Sequence, residues 1–182
     1  VLAEAGERLG DFVVPEGKVA IGTVCSVTVN GALLRAHIPT VSTFAGVLEM
    51  SEGRPERFID VIHYDGTSLD PLEIFIKSGL TSVREAARTG RGRIGASFRE
   101  IPSDALPQAT RVLDQLERLK LGAVLAIGKP DSPLLDFPVP EGRTGLILAG
   151  GLNPLAAVEE AGIGTHNKAM STFHAFSRLQ HF

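Results

Sequence analysis

The sequence holds a single cysteine, Cys25, among its 182 residues. One thiol can close neither an internal disulfide nor a cysteine-based zinc site. That usage fits a reducing compartment, and a cytoplasmic location is expected. Tryptophan is absent and aromatics make up only 5%, so the core is expected to be aliphatic. There is no block of Lys or Arg, and the formal net charge is −3. Phosphate contacts dominate nucleic-acid affinity, so this segment is poorly suited to bind DNA by itself. No apolar run is long enough to span a bilayer. The N-terminus lacks the basic and apolar regions of a signal peptide. It also lacks an initiator Met, which is read as a sign of a segment cut from a longer protein or of processing. Neither a Gly-x-Gly-x-x-Gly fingerprint nor a P-loop is present, and no His/acid spacing resembles a metal site. No cofactor, no metal and no catalytic residue is expected.

What the sequence does contain is a duplication. Leu9-Gly10-Asp11-Phe12-Val13-Val14-Pro15-Glu16-Gly17-Lys18 returns as Leu134-Leu135-Asp136-Phe137-Pro138-Val139-Pro140-Glu141-Gly142-Arg143, with seven of ten positions identical at an offset of 125. The register continues ungapped, so that Ala36, Ile38 and Thr40 fall on Ala161, Ile163 and Thr165. Each copy reads as a Pro-Glu-Gly turn, a strand, a turn of small residues, a capped helix and a second strand. The strands are Val19–Val24 and Phe44–Leu48 in the first copy. In the second they are Gly145–Ala149 and Met170–Phe173. The small turns are Cys25-Ser26 and Gly150-Gly151, and the caps are Thr28 and Asn153. A looser third copy lies between them, in which Leu69-Asp70-Pro71-Leu72 matches Leu152-Asn153-Pro154-Leu155. Its strands are Phe58–Tyr64 and Arg93–Phe98. Ser103 reads as the cap of a further helix, with Val112, Leu113, Leu116 and Leu119 at helical spacing. Lys120 and Gly122 close that helix, and Ala123–Ile127 reads as a buried strand.

Strands alternating with helices predict an α/β fold. The expected architecture is one regulatory domain over residues 1–182, built from duplicated strand–turn–helix–strand units that form two facing lobes around a mixed sheet. Its parts are repeat unit A (9–48), a looser central unit (58–101), a helix–strand connector (103–129) and repeat unit B (134–173). A cleft between related lobes is a common place for a small ligand.

Helix starts carry unpaired N–H groups and the positive end of the helix dipole. Small residues let an anion approach that backbone. Three such starts could converge on one acidic ligand. Arg84, Arg88, Arg91, Arg93 and Arg99 add a local density of guanidinium groups suited to carboxylates. For each feature there is a plainer reading: caps that only stabilise helices, and Arg side chains on a solvated face. Cys25 follows an apolar strand and reads as a small buried hydrophobe. As a nucleophile it would need a base, and the five histidines stand in no recognisable triad order.

The stretches Gly22–Ser26, Asp70–Gly79, Phe98–Pro102, Ala149–Pro154 and Asn167–Thr172 resemble the regulatory domain of the NrpR nitrogen-response repressors, and the resemblance extends over nearly the whole chain. It implies an effector-sensing, dimer-forming domain, and a homodimer is the expected state. It also implies a partner winged helix that touches DNA, which this chain lacks, and release from DNA by 2-oxoglutarate. Members also carry a further segment ahead of the position of Val1. The resemblance leaves open whether the effector here is 2-oxoglutarate or a related acid. A small dianion suits the helix starts, the small turns and the Arg side chains together. The residues expected to contact it are Cys25, Ser26, Thr28, Gly150, Gly151, Asn153, Arg88 and Arg99, followed by Lys168 and Ser171. The competing readings are a small-carboxylate enzyme acting through Cys25 and a dimerisation module without a ligand.

Overall fold

A computed structural model describes residues 1–168, 170 and 172–179. The chain opens with four two-residue strands: β1 (Leu2–Ala3), β2 (Arg8–Leu9), β3 (Phe12–Val13) and β4 (Ala20–Ile21). Then come α1 (Val27–Arg35), β5 (Val41–Ser51), β6 (Arg54–His63), α2 (Pro71–Lys77), α3 (Val83–Thr89) and β7 (Gly92–Pro102). After a 3-10 turn at Ser103–Ala105 follow α4 (Leu106–Arg118), β8 (Val124–Ile127), β9 (Arg143–Ala149) and α5 (Asn153–Glu159). A last 3-10 turn covers Phe176–Arg178. Among the described residues no helix is long and apolar enough to cross a membrane.

The α/β class holds. The main sheet has five strands in the order β6-β5-β7-β9-β8. Every pairing in it is antiparallel, which corrects the expected mixed sheet. The β5–β6 hairpin turns at Glu52-Gly53, both at positive φ (53° and 75°), a geometry whose twist suits a tight hairpin. Strand alternation then sorts the side chains. Ile101, Leu146 and Leu148 face α1 and α4, against Val29, Leu33, Ala109, Leu113 and Leu116. Leu72 of α2 abuts Gly95 on the same face. Phe44, Leu48, Phe98 and Ile147 face the other way, where Leu134, Leu135 and Phe137 cover them. The elements of the two copies are thus joined through one sheet, with β7 between β5 and β9, instead of standing as two lobes.

The duplication is visible in the turns. Leu9 pairs antiparallel with Phe12, and Leu134 bridges Phe137 in the same sense. Lys18 N–H bonds Pro15 O at 3.2 Å, and Arg143 N–H bonds Pro140 O at 3.1 Å. The three repeated helices end alike, with a left-handed residue at His37 (φ 59°), Gly79 (φ 68°) and Gly162 (φ 82°). The next N–H reaches back five residues each time: Ile38 to Leu33 O, Leu80 to Phe75 O and Ile163 to Val158 O. The left-handed residue's own N–H reaches back three, to Leu34 O, Ile76 O and Glu159 O, and the two hydrogen bonds together satisfy carbonyls that the helix leaves free.

The strands diverge. Of Val19–Val24 only Ala20–Ile21 is extended, and it pairs with β1 outside the main sheet. Its counterpart β9 is seven residues long and central. Of Met170–Phe173, Met170 is a turn, Thr172 and Phe173 have no regular structure, and Ser171 lies outside the described residues. The ends of α4 also differ from expectation. Ser103 makes no side-chain cap, and its hydroxyl lies 3.0 Å from that of Thr144. Lys120, not Gly122, is the left-handed residue (φ 56°), and Leu119 is exposed beyond the last turn.

Candidate functional site

The small-residue turns do meet. Thr23 Oγ1 donates to Gly151 O at 2.6 Å. A Cβ on Gly151 would lie 2.5 Å from Val24 O, so the two turns pack backbone against backbone. Gly150 N–H bonds Gly95 O at 2.8 Å. A Cβ there would come 2.7 Å from Leu72 Cδ1. These glycines admit the chain's own neighbours at close range.

The helix starts are also more occupied than expected. The first residue ahead of α1 is Ser26, not Thr28, which lies exposed in the first turn. Thr28 N–H bonds Cys25 O at 2.9 Å, and Val29 N–H bonds Ser26 O at 3.0 Å. Asn153 opens α5 as its first helical residue instead of capping it. Its amide binds both polar groups of Gly95, accepting from N–H at 2.8 Å and donating to O at 2.9 Å. Asp70 is the one true side-chain cap of the three, accepting from Leu72 N–H at 2.9 Å with Pro71 behind it. These contacts gather the starts of α1, α2 and α5 over the Gly95–Arg99 stretch of β7.

Beneath them lies the buried polar cluster of the fold. Arg99 is 2% exposed. Its Nε donates to Asn30 Oδ1 at 3.2 Å and its Nη2 to Ser26 Oγ at 3.4 Å. The guanidinium carbon lies 5.3 Å from the centre of the Tyr64 ring. Asn30 in turn donates to Ser42 Oγ at 3.1 Å. Arg99 Nη1 is buried with no partner, and so is Ser97 Oγ two residues along the same sheet face. Among the described residues no carboxylate forms an ion pair with Arg99. A guanidinium is a permanent cation, and burying one without a counter-ion is costly. The two open donors, on residues whose Cα atoms are about 7 Å apart along the strand, form an arrangement that an acidic ligand can complete.

Of the expected residues, Ser26, Arg99, Gly150, Gly151, Asn153 and the half-buried Cys25 come together here. Arg88 does not: it is exposed on α3 and paired with Glu85 at 2.8 Å. Lys168 is exposed beyond α5, and Ser171 lies outside the described residues. Sequence reasoning missed Asn30, Ser42, Tyr64 and Ser97. The last was accessible, since Gly95, Ser97 and Arg99 alternate with the apolar Ile94, Ala96 and Phe98. Among the described residues no three His, Cys, Asp or Glu side chains gather as a metal site.

Fold and cluster together define a two-layer α/β domain with a buried cationic polar centre under its helix starts. The family model for NrpR regulatory domains NRD1 and 2 matches residues 1–181, and the chain belongs to that family of transcriptional regulators. It is 40% identical over 166 residues to the global nitrogen regulator NrpRI of Methanosarcina mazei, covering 91% of this chain and 51% of that protein. It is 32% identical over 182 residues to the global nitrogen regulator NrpR of Methanocaldococcus jannaschii, covering 97% of this chain and 30% of that protein. A crystal structure of a nitrogen repressor-like protein from Methanococcus jannaschii matches with a TM-score of 0.69 at 35% identity, over 84% of this chain and 63% of that one. The chain thus spans between about a third and a half of the curated relatives' lengths.

Proposed function

We propose that this chain is the effector-sensing domain of a nitrogen-responsive transcriptional repressor. It binds 2-oxoglutarate, or a related small dianion, and binding relieves repression. One carboxylate sits on Arg99 Nη1 and the Ser97 hydroxyl, close to Ser26 and Asn30. In this reading residues 1–182 are one regulatory domain with repeat units at 9–48 and 134–173, the central unit at 58–101 and the connector at 103–129. The domain works in the cytoplasm as a homodimer, is not an enzyme, and reaches DNA through a winged helix outside this sequence.

The observation that carries the reading is Arg99: a buried guanidinium with one nitrogen unpartnered and no ion pair among the described residues. A structural arginine is ordinarily paired or fully hydrogen-bonded when buried. The names of the relatives supply the nitrogen response. The half-buried Cys25 has no hydrogen bond to a base among the described residues, so a thiol mechanism has no geometric support.

The test is calorimetry with 2-oxoglutarate, glutamate, glutamine and ATP on the chain and on Arg99→Gln. The expected result is selective binding of 2-oxoglutarate, weakened about tenfold or more by the substitution, or about 1.5–3 kcal/mol. No binding to the parent overturns the effector. Equal binding to a folded Arg99→Gln overturns the site.

A further inference from the structure

The opposite face of the sheet also carries unpaired charge. Glu100 follows Arg99 on β7 and points the other way, at 9% exposure. Its carboxylate accepts one hydrogen bond, from Thr43 Oγ1 at 3.2 Å. It forms no ion pair among the described residues. Arg143 projects from β9 on the same face, two register positions from the residue opposite Glu100; its Nη1 is buried without a partner, it forms no ion pair among the described residues, and it is not in the wall of the hollow described next.

Glu100 lines a hollow of about 340 Å³ together with Thr43, His63, Phe44, Phe98 and the Phe137–Pro140 segment. The floor is aromatic. Phe44 and Phe98 stack with centroids 5.0 Å apart, and Phe137 leans on Phe44 at 4.5 Å. His63 stands tilted to Phe44 at 5.5 Å. This site shares no residue with the Arg99 cluster.

We propose that the hollow binds a small organic cation, an alkylammonium head group. The chemistry selects that class. An anion would meet the Glu100 carboxylate. A neutral apolar guest would cover the carboxylate and leave it further desolvated, at a cost. A hard metal ion needs six or more oxygen ligands, and the wall offers one carboxylate and one hydroxyl side chain. An alkylammonium satisfies both parts of the wall, its charge facing Glu100 and its carbon shell lying against the phenylalanines.

Tetramethylammonium chloride is the probe, titrated into the chain while phenylalanine ring signals are followed by NMR. Sodium chloride and tert-butanol serve as controls for salt and for shape without charge. The expected result is saturable binding of tetramethylammonium, at least fivefold weaker in Glu100→Gln and lost in Val139→Phe, which fills the hollow. Thermal melts establish that each variant is folded. If Glu100→Gln does not fold, Val139→Phe and the tert-butanol control decide the matter. Absence of saturable binding overturns the proposal, as does equal affinity for tert-butanol or unchanged affinity in a folded variant. None of these outcomes bears on 2-oxoglutarate, which is read at Arg99.

Discussion

Arg99 and Glu100 are neighbours on β7, both at least nine-tenths buried, and they point to opposite faces of the sheet with no ion pair to each other or to any described residue. Strand alternation makes their separation unavoidable, since adjacent side chains cannot share a face. A guanidinium kept for structure would cost about 3–5 kcal/mol if its partner groups were orphaned, whereas one kept for a ligand leaves the empty fold little affected. Arg99→Met should therefore lower stability by no more than about 1 kcal/mol without ligand, because the orphaned Ser26 and Asn30 contacts are offset by removal of an unpaired charge. Urea unfolding checks this. A loss of several kcal/mol would make Arg99 a structural keystone instead.

The meeting of the two small turns is structural, and its variants should behave accordingly. Gly151→Val places a side chain against Val24 O and Cys25 Cα, at 2.5 and 3.1 Å from the first added carbon. Backbone cannot yield as a flexible side chain does, so destabilisation of about 1–3 kcal/mol is expected. Thr23→Val removes only the 2.6 Å bond to Gly151 O and should cost about 1 kcal/mol. Denaturant midpoints distinguish the two. Unchanged stability in Gly151→Val would mean that the turns do not pack as described.

Glu159 ties the end of α5 to α2. It accepts from Lys77 Nζ, and from Thr165 N–H and Oγ1 at 2.7 and 2.6 Å. The Lys77 ammonium first, then the Thr165 donors, pull its pKa down from 4.5 to about 2. The folded value lies below the unfolded one, so the stabilisation is complete above about pH 4.5 and is lost as the pH falls through about 2. Urea midpoints between pH 2 and 5 should fall on acidification in the parent and fall less steeply in Glu159→Gln. Parallel slopes would show that this carboxylate does not contribute.

Local features were legible and pairings were not. The 125-residue offset brings Leu9–Phe12 onto Leu134–Phe137, and both close the same small hairpin, because such turns are closed by four or five consecutive residues. It also aligns His37 with Gly162, and both are left-handed. The failures are non-local. Val19–Val24 has the composition of a buried strand, yet only two of its residues pair, because a strand needs a neighbour that sequence does not name. The sense of the sheet was hidden for the same reason. Arg88 was separable in principle, since Glu85 stands three residues before it on the helix, where such pairs form. The burial of Arg99 was not, since it depends on three helix starts from distant parts of the chain.

The repeated hairpin offers a test in which sequence is held nearly constant and environment varies. Phe12 and Phe137 occupy the same place in Leu-x-Asp-Phe, and each pairs with its own leucine. Phe12 is 52% exposed. Phe137 packs on Phe44, Phe58 and Phe98, with centroids at 4.5, 5.5 and 6.1 Å. Side-chain burial, not the hairpin, should set the cost of truncation. Phe137→Ala should destabilise by about 2–4 kcal/mol, since it opens a space over the aromatic face. Phe12→Ala should change stability by no more than about 0.5 kcal/mol, as exposed positions do. Urea unfolding of both variants measures the difference. Equal costs would mean that the first hairpin covers a surface of its own, and that Phe12 is buried in solution by a second copy or another segment.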